Sequence, residues 1–242
     1  MNAIILAAGI GTRLGSITRN LPKALIEVMG KELIMHVVGM AHYINVSKIV
    51  VVGGCGFNNL KAFLEMNAPE AILTENPDYK KGNIYSLKYA LPYIDDDFLV
   101  FNVDHVFSKD LLDVIMRTCD ASNKITLFCD NAKPIEEDQM KIRKKEDKLQ
   151  EISKKMKSYD TGYIGLVYCP KVMTSSFIKA TNAVINKNDE GAMTEDILNC
   201  LVNEDKFIKV ADVSSYEWFE VDTPEDLSQA EELVSGSPGK WA

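Results

Sequence analysis

The residues of this chain that could do chemistry gather at the ends of apolar runs. The first run, Ala3 to Ala8, breaks into a glycine-rich turn, "LAAGIGTRL" (6–14), and a second cation follows in "PKAL" (22–25). A glycine turn after a strand lets backbone N–H groups approach anionic oxygens with no Cβ in the way, so Gly9 and Gly11 point to phosphate. A dinucleotide-binding turn is excluded, because Leu14 stands where its third glycine belongs and Pro22 interferes with a helix running straight from the turn. A P-loop is excluded because no lysine follows Gly15. What remains is a phosphate site whose two cations, Arg13 and Lys23, are held well apart. Two acids stand at strand ends, Asp104 closing "DFLVFNVD" (97–104) and Asp222 closing "YEWFEVD" (216–222). In open α/β sheets the ligand crevice lies at the carboxyl ends of the strands, so both acids are expected to face it. One or two carboxylates plus phosphate oxygens are what Mg²⁺ takes as ligands. Glu220 has the same strand parity as Asp222 and is an alternative ligand.

The elements that must position these groups follow from hydrophobic periodicity. Short β-branched runs at 3–8, 48–54, 97–104 and 124–129 alternate with amphipathic stretches. Leu33, Ile34, Val37, Val38, Ala41 and Ile44 form one helical stripe, and Ile84, Leu87, Ala90 and Leu91 another. Apolar strands alternating with such helices predict an α/β fold, a mostly parallel central sheet with helices on both faces. A polar segment at about 130–160 predicts a small β arm, followed by "TGYIGLVY" (161–168), a helix near 193–203 and two short strands. Thr223 as N-cap, Pro224 in the first turn and acids after it start the last helix. The final residues, 235–242, are expected to be a flexible tail.

Composition bounds the function. The 242 residues are 46% hydrophobic and 26% charged, which suits one large α/β domain or two small ones. A net charge of −8 argues against broad nucleic-acid binding. Residues 141–157 run against that charge, with eight Lys/Arg and three Asp/Glu, a local +5; they form either a solvated hairpin or an attractor for a small anion. The apolar runs are too short to span a membrane, and no signal peptide is visible. The five cysteines are dispersed, as free thiols in a reducing cytoplasm would be, so a cytoplasmic protein is expected. His105 follows Asp104 and is expected to be structural or to stand behind the substrate; His36 and His42 are expected at the surface.

The segment "LAAGIGTRL…PKAL" resembles the signature of the nucleotidyltransferases that join a nucleoside triphosphate to a phosphorylated sugar, polyol or choline. Leu6, Ala7, Ala8, Gly9, Gly11, Thr12, Arg13, Pro22 and Lys23 all match it, and the resemblance runs from Asn2 to about Leu233. It implies a Rossmann-like, nucleotide-diphospho-sugar transferase-like fold, with residues 1–234 as a single domain. It implies Arg13 on the departing β- and γ-phosphates, Lys23 on the α-phosphate where charge accumulates, and Asp104 and Asp222 on Mg²⁺. Gly82 and Asn83 of "KKGNIYSL" match the base-contacting position of the family. Asp160, Thr161 and Gly162 match its acceptor-side strand, and Lys154 lies near where relatives hold the acceptor's phosphate.

Within the family, "KGNIYSL", "VDHVFS", "YDTGY" and "WFEVDTPEDL" are most similar to cytidylyltransferases that use CTP and inositol 1-phosphate. In thermophiles these enzymes serve synthesis of di-myo-inositol phosphate, a compatible solute, and some are fused to a membrane-bound synthase; this sequence shows no such portion and inserts no membrane segment, so functional coupling to a separate membrane-bound synthase is the corresponding expectation. Oligomeric state is not readable. Phosphocholine cytidylyltransferases are the alternative, for which Tyr79, Tyr85, Tyr159, Tyr216 and Trp218 are candidates for an aromatic cage. Sugar-1-phosphate nucleotidyltransferases come next, and catalytically silent, nucleotide-sensing homologues form a further class.

Overall fold

β1 (Asn2–Ala7) is buried along its whole length. Ala3, Ile5 and Ala7 face one core cluster while Ile4 and Leu6 face the other, the period-2 alternation of a strand covered on both sides. The computed structural model describes residues 1–15, 17–18, 21–188 and 190–242. After the glycine turn, a short hairpin of β2 (Glu27–Val28) and β3 (Lys31–Glu32) leads into α1 (Leu33–Tyr43). Then come β4 (Lys48–Gly53), α2 (Phe57–Asn67), β5 (Ile72–Glu75), α3 (Asn83–Ala90) and β6 (Phe98–Asn102). The chain continues through β7 (His105–Phe107), α4 (Lys109–Asp120), β8 (Thr126–Asp130), β9 (Lys141–Lys145), β10 (Lys148–Ser153) and β11 (Thr161–Cys169). It finishes with α5 (Lys171–Lys187), α6 (Thr194–Asn203), β12 (Lys209–Asp212), β13 (Trp218–Glu220) and α7 (Pro224–Gly236).

Among the described residues the main sheet has nine strands in the order β5-β4-β1-β6-β11-β8-β12-β10-β9. β5, β4, β1 and β6 are mutually parallel, and β11 joins β6 antiparallel, so the sheet is mixed. The chain lays β4 and β5 to one side of β1 and then returns to lay β6 on the other. That reversal opens a crevice at the carboxyl end of β1, where the glycine turn lies. α1, α4 and α7 pack on one face and α3, α5 and α6 on the other.

The polar segment is built into this sheet. β11 is long enough to pair with β6 and β8 and, through Thr161 and Gly162, with β9. With the β8–β12, β12–β10 and β10–β9 pairings this closes a ring. Ile142, Leu149 and Ile152 point inward while Arg143, Lys145 and Gln150 are exposed, so the hairpin is amphipathic rather than free-standing. No helix among the described residues is long and apolar enough to cross a membrane.

Two expectations are corrected. The tail is packed: the Trp241 ring is buried, edge-on to Phe219 at 5.0 Å, and Lys31 Nζ donates to the Ala242 carbonyl at 2.8 Å. Glycine and serine dominate that segment's composition, but one indole carries enough apolar area to order it. His36 is buried, not at the surface, because the β2–β3 hairpin folds over that side of α1; its Nε2 lies 3.2 Å from the Val28 carbonyl.

Burial pushes the His36 imidazole down to about 4, and the Lys31 charge adds to the effect. The unfolded chain therefore takes up this proton first as pH falls below about 6.5, and stability is lost through the window down to about 4. Denaturant unfolding at pH 7 and pH 5 is expected to show a smaller loss of stability for His36→Gln than for the wild type. An identical pH dependence in the two would show that folding does not shift the His36 pKa.

Candidate active site

A two-stranded ladder sets the acids side by side. β7 and β13 pair antiparallel, with Trp218 opposite Phe107 and Glu220 opposite His105. One step beyond, the Val221 N–H donates to the Asp104 carbonyl at 3.0 Å. Asp104 and Asp222, on distant parts of the chain, thus leave neighbouring strands at the same end. Asp222 is braced further by the capping box of α7. The Asp226 carboxylate accepts from the N–H groups of Asp222 (3.0 Å) and Thr223 (2.7 Å), and the Thr223 hydroxyl oxygen accepts from the Asp226 N–H at 3.2 Å.

The glycine turn brings the cations. Gly11 has φ +69°, and a Cβ there would lie 2.9 Å from Thr18 Cγ2 and 3.1 Å from Lys23 Cβ, so the returning chain leaves room for glycine alone. Pro22, extended at φ −62° and ψ 147°, opens the 3₁₀ turn Lys23–Leu25 and turns Lys23 inward. Lys23 is only 5% exposed, and its Nζ donates to Asp104 Oδ2 at 2.5 Å and also to Asp222 Oδ1. Arg13, more exposed, donates to the second Asp222 oxygen at 2.5 Å and pairs with Asp138 of the 131–140 loop.

These contacts fix the charges. Burial opposes ionisation of Asp104, but the Lys23 ammonium and the His105 ring hold its carboxyl far below the usual carboxylate range. Burial likewise opposes the charge on Asp222, and its hydrogen bond with Glu220 together with Lys23 holds it low. Burial would strip Lys23 of its proton, yet the two carboxylates raise its pKa. Glu220 moves the other way, pushed up by burial and by its acidic neighbours despite His105. Burial disfavours the His105 cation, but Glu220 and Asp104 raise its pKa to about 9. The His105 ring is clamped, with Nδ1 2.6 Å from Asp104 Oδ1 and its face parallel to Trp218 at 5.9 Å between centroids.

Asp104, His105 and Glu220 offer ligand atoms all within 4.8 Å of one another, a group able to hold a divalent cation. Carboxylate oxygens suit a hard ion, and the Lys23 ammonium already marks a cation position between Asp104 and Asp222.

A cavity of about 650 Å³ opens from this cluster. Of the residues expected at the nucleotide, Leu6, Ala8, Gly9, Arg13, Lys23 and Asn83 line it. Ala7 is buried toward the other core, and Gly11 and Thr12 shape the turn behind. Gly82 is not among the residues lining the cavity; a Cβ on it would meet the Ala192 carbonyl oxygen at 2.2 Å, so its bare backbone is needed for packing there. The Asn83 amide is already engaged, its Oδ1 accepting from the Thr194 N–H at 2.9 Å.

Of the residues expected at the acceptor, Lys154 lines the cavity, but the structure does not bring Asp160 or Thr161 to it. Asp160 is exposed and accepts from the Lys144 N–H at 2.8 Å; Thr161 is buried in the β9 pairing, and Gly162 packs against Ile135. Of the aromatic residues considered for a cage, Tyr79 and Trp218 line the cavity. Lys133, Asp138, Tyr163 and Glu195 also line it and were not singled out from sequence, because a surface loop, a strand interior and a helix first turn each give such residues an ordinary local role.

This fold, with a glycine turn, two cations and two acids at the sheet's switch point, defines the nucleotidyltransferase class. The chain matches the MobA-like NTP transferase domain over residues 3–192 and belongs to that family. It is 25% identical to the inositol-1-phosphate CTP transferase structure from T. maritima, covering 100% of this chain and 97% of that one with a TM-score of 0.84. It is 28% identical to the bifunctional IPC transferase and DIPP synthases of Aquifex aeolicus and Thermococcus kodakarensis, in each case over 96% of its length. It spans about half the length of those relatives, 51% and 50%.

Gly165 (φ +75°) faces the His105 ring, where a Cβ would come within 2.6 Å of Cδ2, whereas nothing lies within 4 Å of a Cβ on Gly9. Gly165→Ala is expected to lower stability by about 1–3 kcal/mol, and Gly9→Ala to leave it within about 0.5 kcal/mol. Thermal and denaturant unfolding of the two variants checks the contrast; equal effects would contradict it.

Proposed function

We propose that this chain is a cytidylyltransferase that joins CTP to inositol 1-phosphate, giving CDP-inositol and pyrophosphate. The observation that carries the transferase reading is the convergence of Asp104 and Asp222 on one cation beside the glycine turn. The choice of CTP and of a polyol phosphate is supported by the full-length similarity to the T. maritima transferase. Against a choline acceptor, the face of Trp218 is already taken by the Lys133 ammonium, 4.2 Å from the ring centroid.

In this reading the acceptor's phosphate oxygen attacks the α-phosphorus of CTP in line with the departing pyrophosphate. A phosphate monoester with a second pKa of about 6 is largely dianionic at neutral pH, so no general base is required. The chain's work is then orientation and charge neutralisation. N–H groups of the glycine turn approach the triphosphate, Arg13 leaves Asp138 for the departing phosphates, and Lys23 serves the α-phosphate. Lys154 neutralises the acceptor's phosphate. Asp104 and Asp222 would hold Mg²⁺, with Glu220 in reach; when bound, the ion neutralises phosphate charge. The bifunctional relatives combine an IPC transferase with a DIPP synthase, and we place the CDP-inositol formed here before such a synthase reaction.

Pyrophosphate release, measured for CTP and UTP with inositol 1-phosphate, phosphocholine and glucose 1-phosphate, tests the assignment. The CTP and inositol 1-phosphate pair is expected to exceed every other by at least about tenfold, the reach of ordinary pocket contacts. Faster turnover with another acceptor would overturn the acceptor, and nucleotide binding without product would make the chain a sensor.

Lys23→Ala is expected to reduce turnover about 10²-fold or more. It also strands two half-buried carboxylates, so added Mg²⁺ should raise its melting temperature more than that of the wild type. Asp104→Asn should abolish that extra shift. Equal metal-dependent shifts in the wild type and in Lys23→Ala would mean that the ion binds elsewhere.

A further inference from the structure

A second acid in the same cavity has no partner for one of its oxygens. Glu195, the second residue of α6, is 5% exposed and lines the cavity. Its carboxylate oxygen Oε2 is buried and has no hydrogen-bond partner among the described residues. An acid in a helix's first turn is ordinarily there for the dipole or the cap. Here that role is filled by Asp196, whose carboxylate accepts from the Met193 N–H at 2.8 Å. Glu195 is left with a desolvated acceptor and nothing to accept, an arrangement that native structures rarely keep without a use.

The side chain sits on a rigid base. Asn83 Oδ1 takes the Thr194 N–H, and the bare Gly82 backbone presses against Ala192, so α3 braces the start of α6. Lys154 and Tyr163 line the same cavity as Glu195. The cavity thus offers both a cation for a phosphate and an acceptor atom for a hydrogen-bond donor.

We propose that Glu195 is a specificity-determining residue, its Oε2 accepting a hydrogen bond from a hydroxyl of the polyol acceptor. The inference rests on the acceptor reading above and deepens it. A ring hydroxyl offers the O–H that this oxygen lacks, whereas a trimethylammonium head group offers neither O–H nor N–H. A site built to bond a hydroxyl rejects acceptors without one, because its own buried oxygen is then left bare. Gly82 and Asn83 act through this residue as positioning residues.

The test compares wild type, Glu195→Ala and Glu195→Gln with CTP and inositol 1-phosphate or its single-deoxy analogues. Glu195→Ala is expected to lower kcat/KM for inositol 1-phosphate by about 10- to 100-fold, the size of one hydrogen bond to a charged group, with the KM for CTP within about twofold. Glu195→Gln keeps an acceptor oxygen and is expected to lose less. One deoxy analogue should show the same loss with wild type and no further loss with Glu195→Ala. A merely structural role would instead slow every analogue alike in the variants, and that pattern overturns the proposal, as do variants with unchanged acceptor kinetics. If wild type does not use inositol 1-phosphate, the acceptor reading falls and this inference with it; if wild type uses it and the variants match wild type, only the role of Glu195 falls.

Discussion

The Lys23 ammonium held between Asp104 and Asp222 is the contact on which the arrangement of the cleft depends. A buried ammonium needs compensating charge, and two carboxylates brought this close need a cation between them. Removing one member of such a group costs about 3–5 kcal/mol, because it leaves an uncompensated charge out of water. The group joins three segments with little else in common: the return of the glycine turn, the turn between β6 and β7, and the entry to α7. Gly11, Pro22, the β7–β13 register and the α7 capping box are each a condition for that meeting.

The same demand links structure to chemistry. The fold places two carboxylates together, which requires positive charge between them, and Lys23 meets that requirement. Arg13 is placed similarly, between the carboxylates of Asp138 and Asp222. His105 completes the cluster as a spacer. Stacked on Trp218 and admitted only because residue 165 is glycine, it sets the distance between Asp104 and Glu220.

The cavity divides by the kind of group that lines it. Near the glycine turn, backbone and cations prevail. Around Lys154, Tyr163 and Glu195, the lining comes instead from side chains of β11, α6 and the end of the β9–β10 hairpin. A family whose members share a phosphate-transfer step and differ in acceptor can keep the first region and alter the second.

What the sequence alone determined was local. The glycine turn, the strand ends carrying Asp104 and Asp222, and the Thr223 cap each follow from backbone constraints acting over a few residues, and they are visible as patterns. Tertiary structure decided whatever needed a partner from elsewhere. Asn83 was legible as polar and near a helix start, but only the arrival of Thr194 made it a brace. His36 was legible as off the apolar stripe, but the β2–β3 hairpin buried it. Trp241 belonged by composition to a loose tail until Phe219 gave it a surface. Glu195 was an ordinary first-turn acid until the cavity closed around it and left one oxygen bare. Local patterns fix which groups exist and roughly where they point; the long-range pairing of strands and helices fixes which of them lose water, and desolvation gives a charge its consequence.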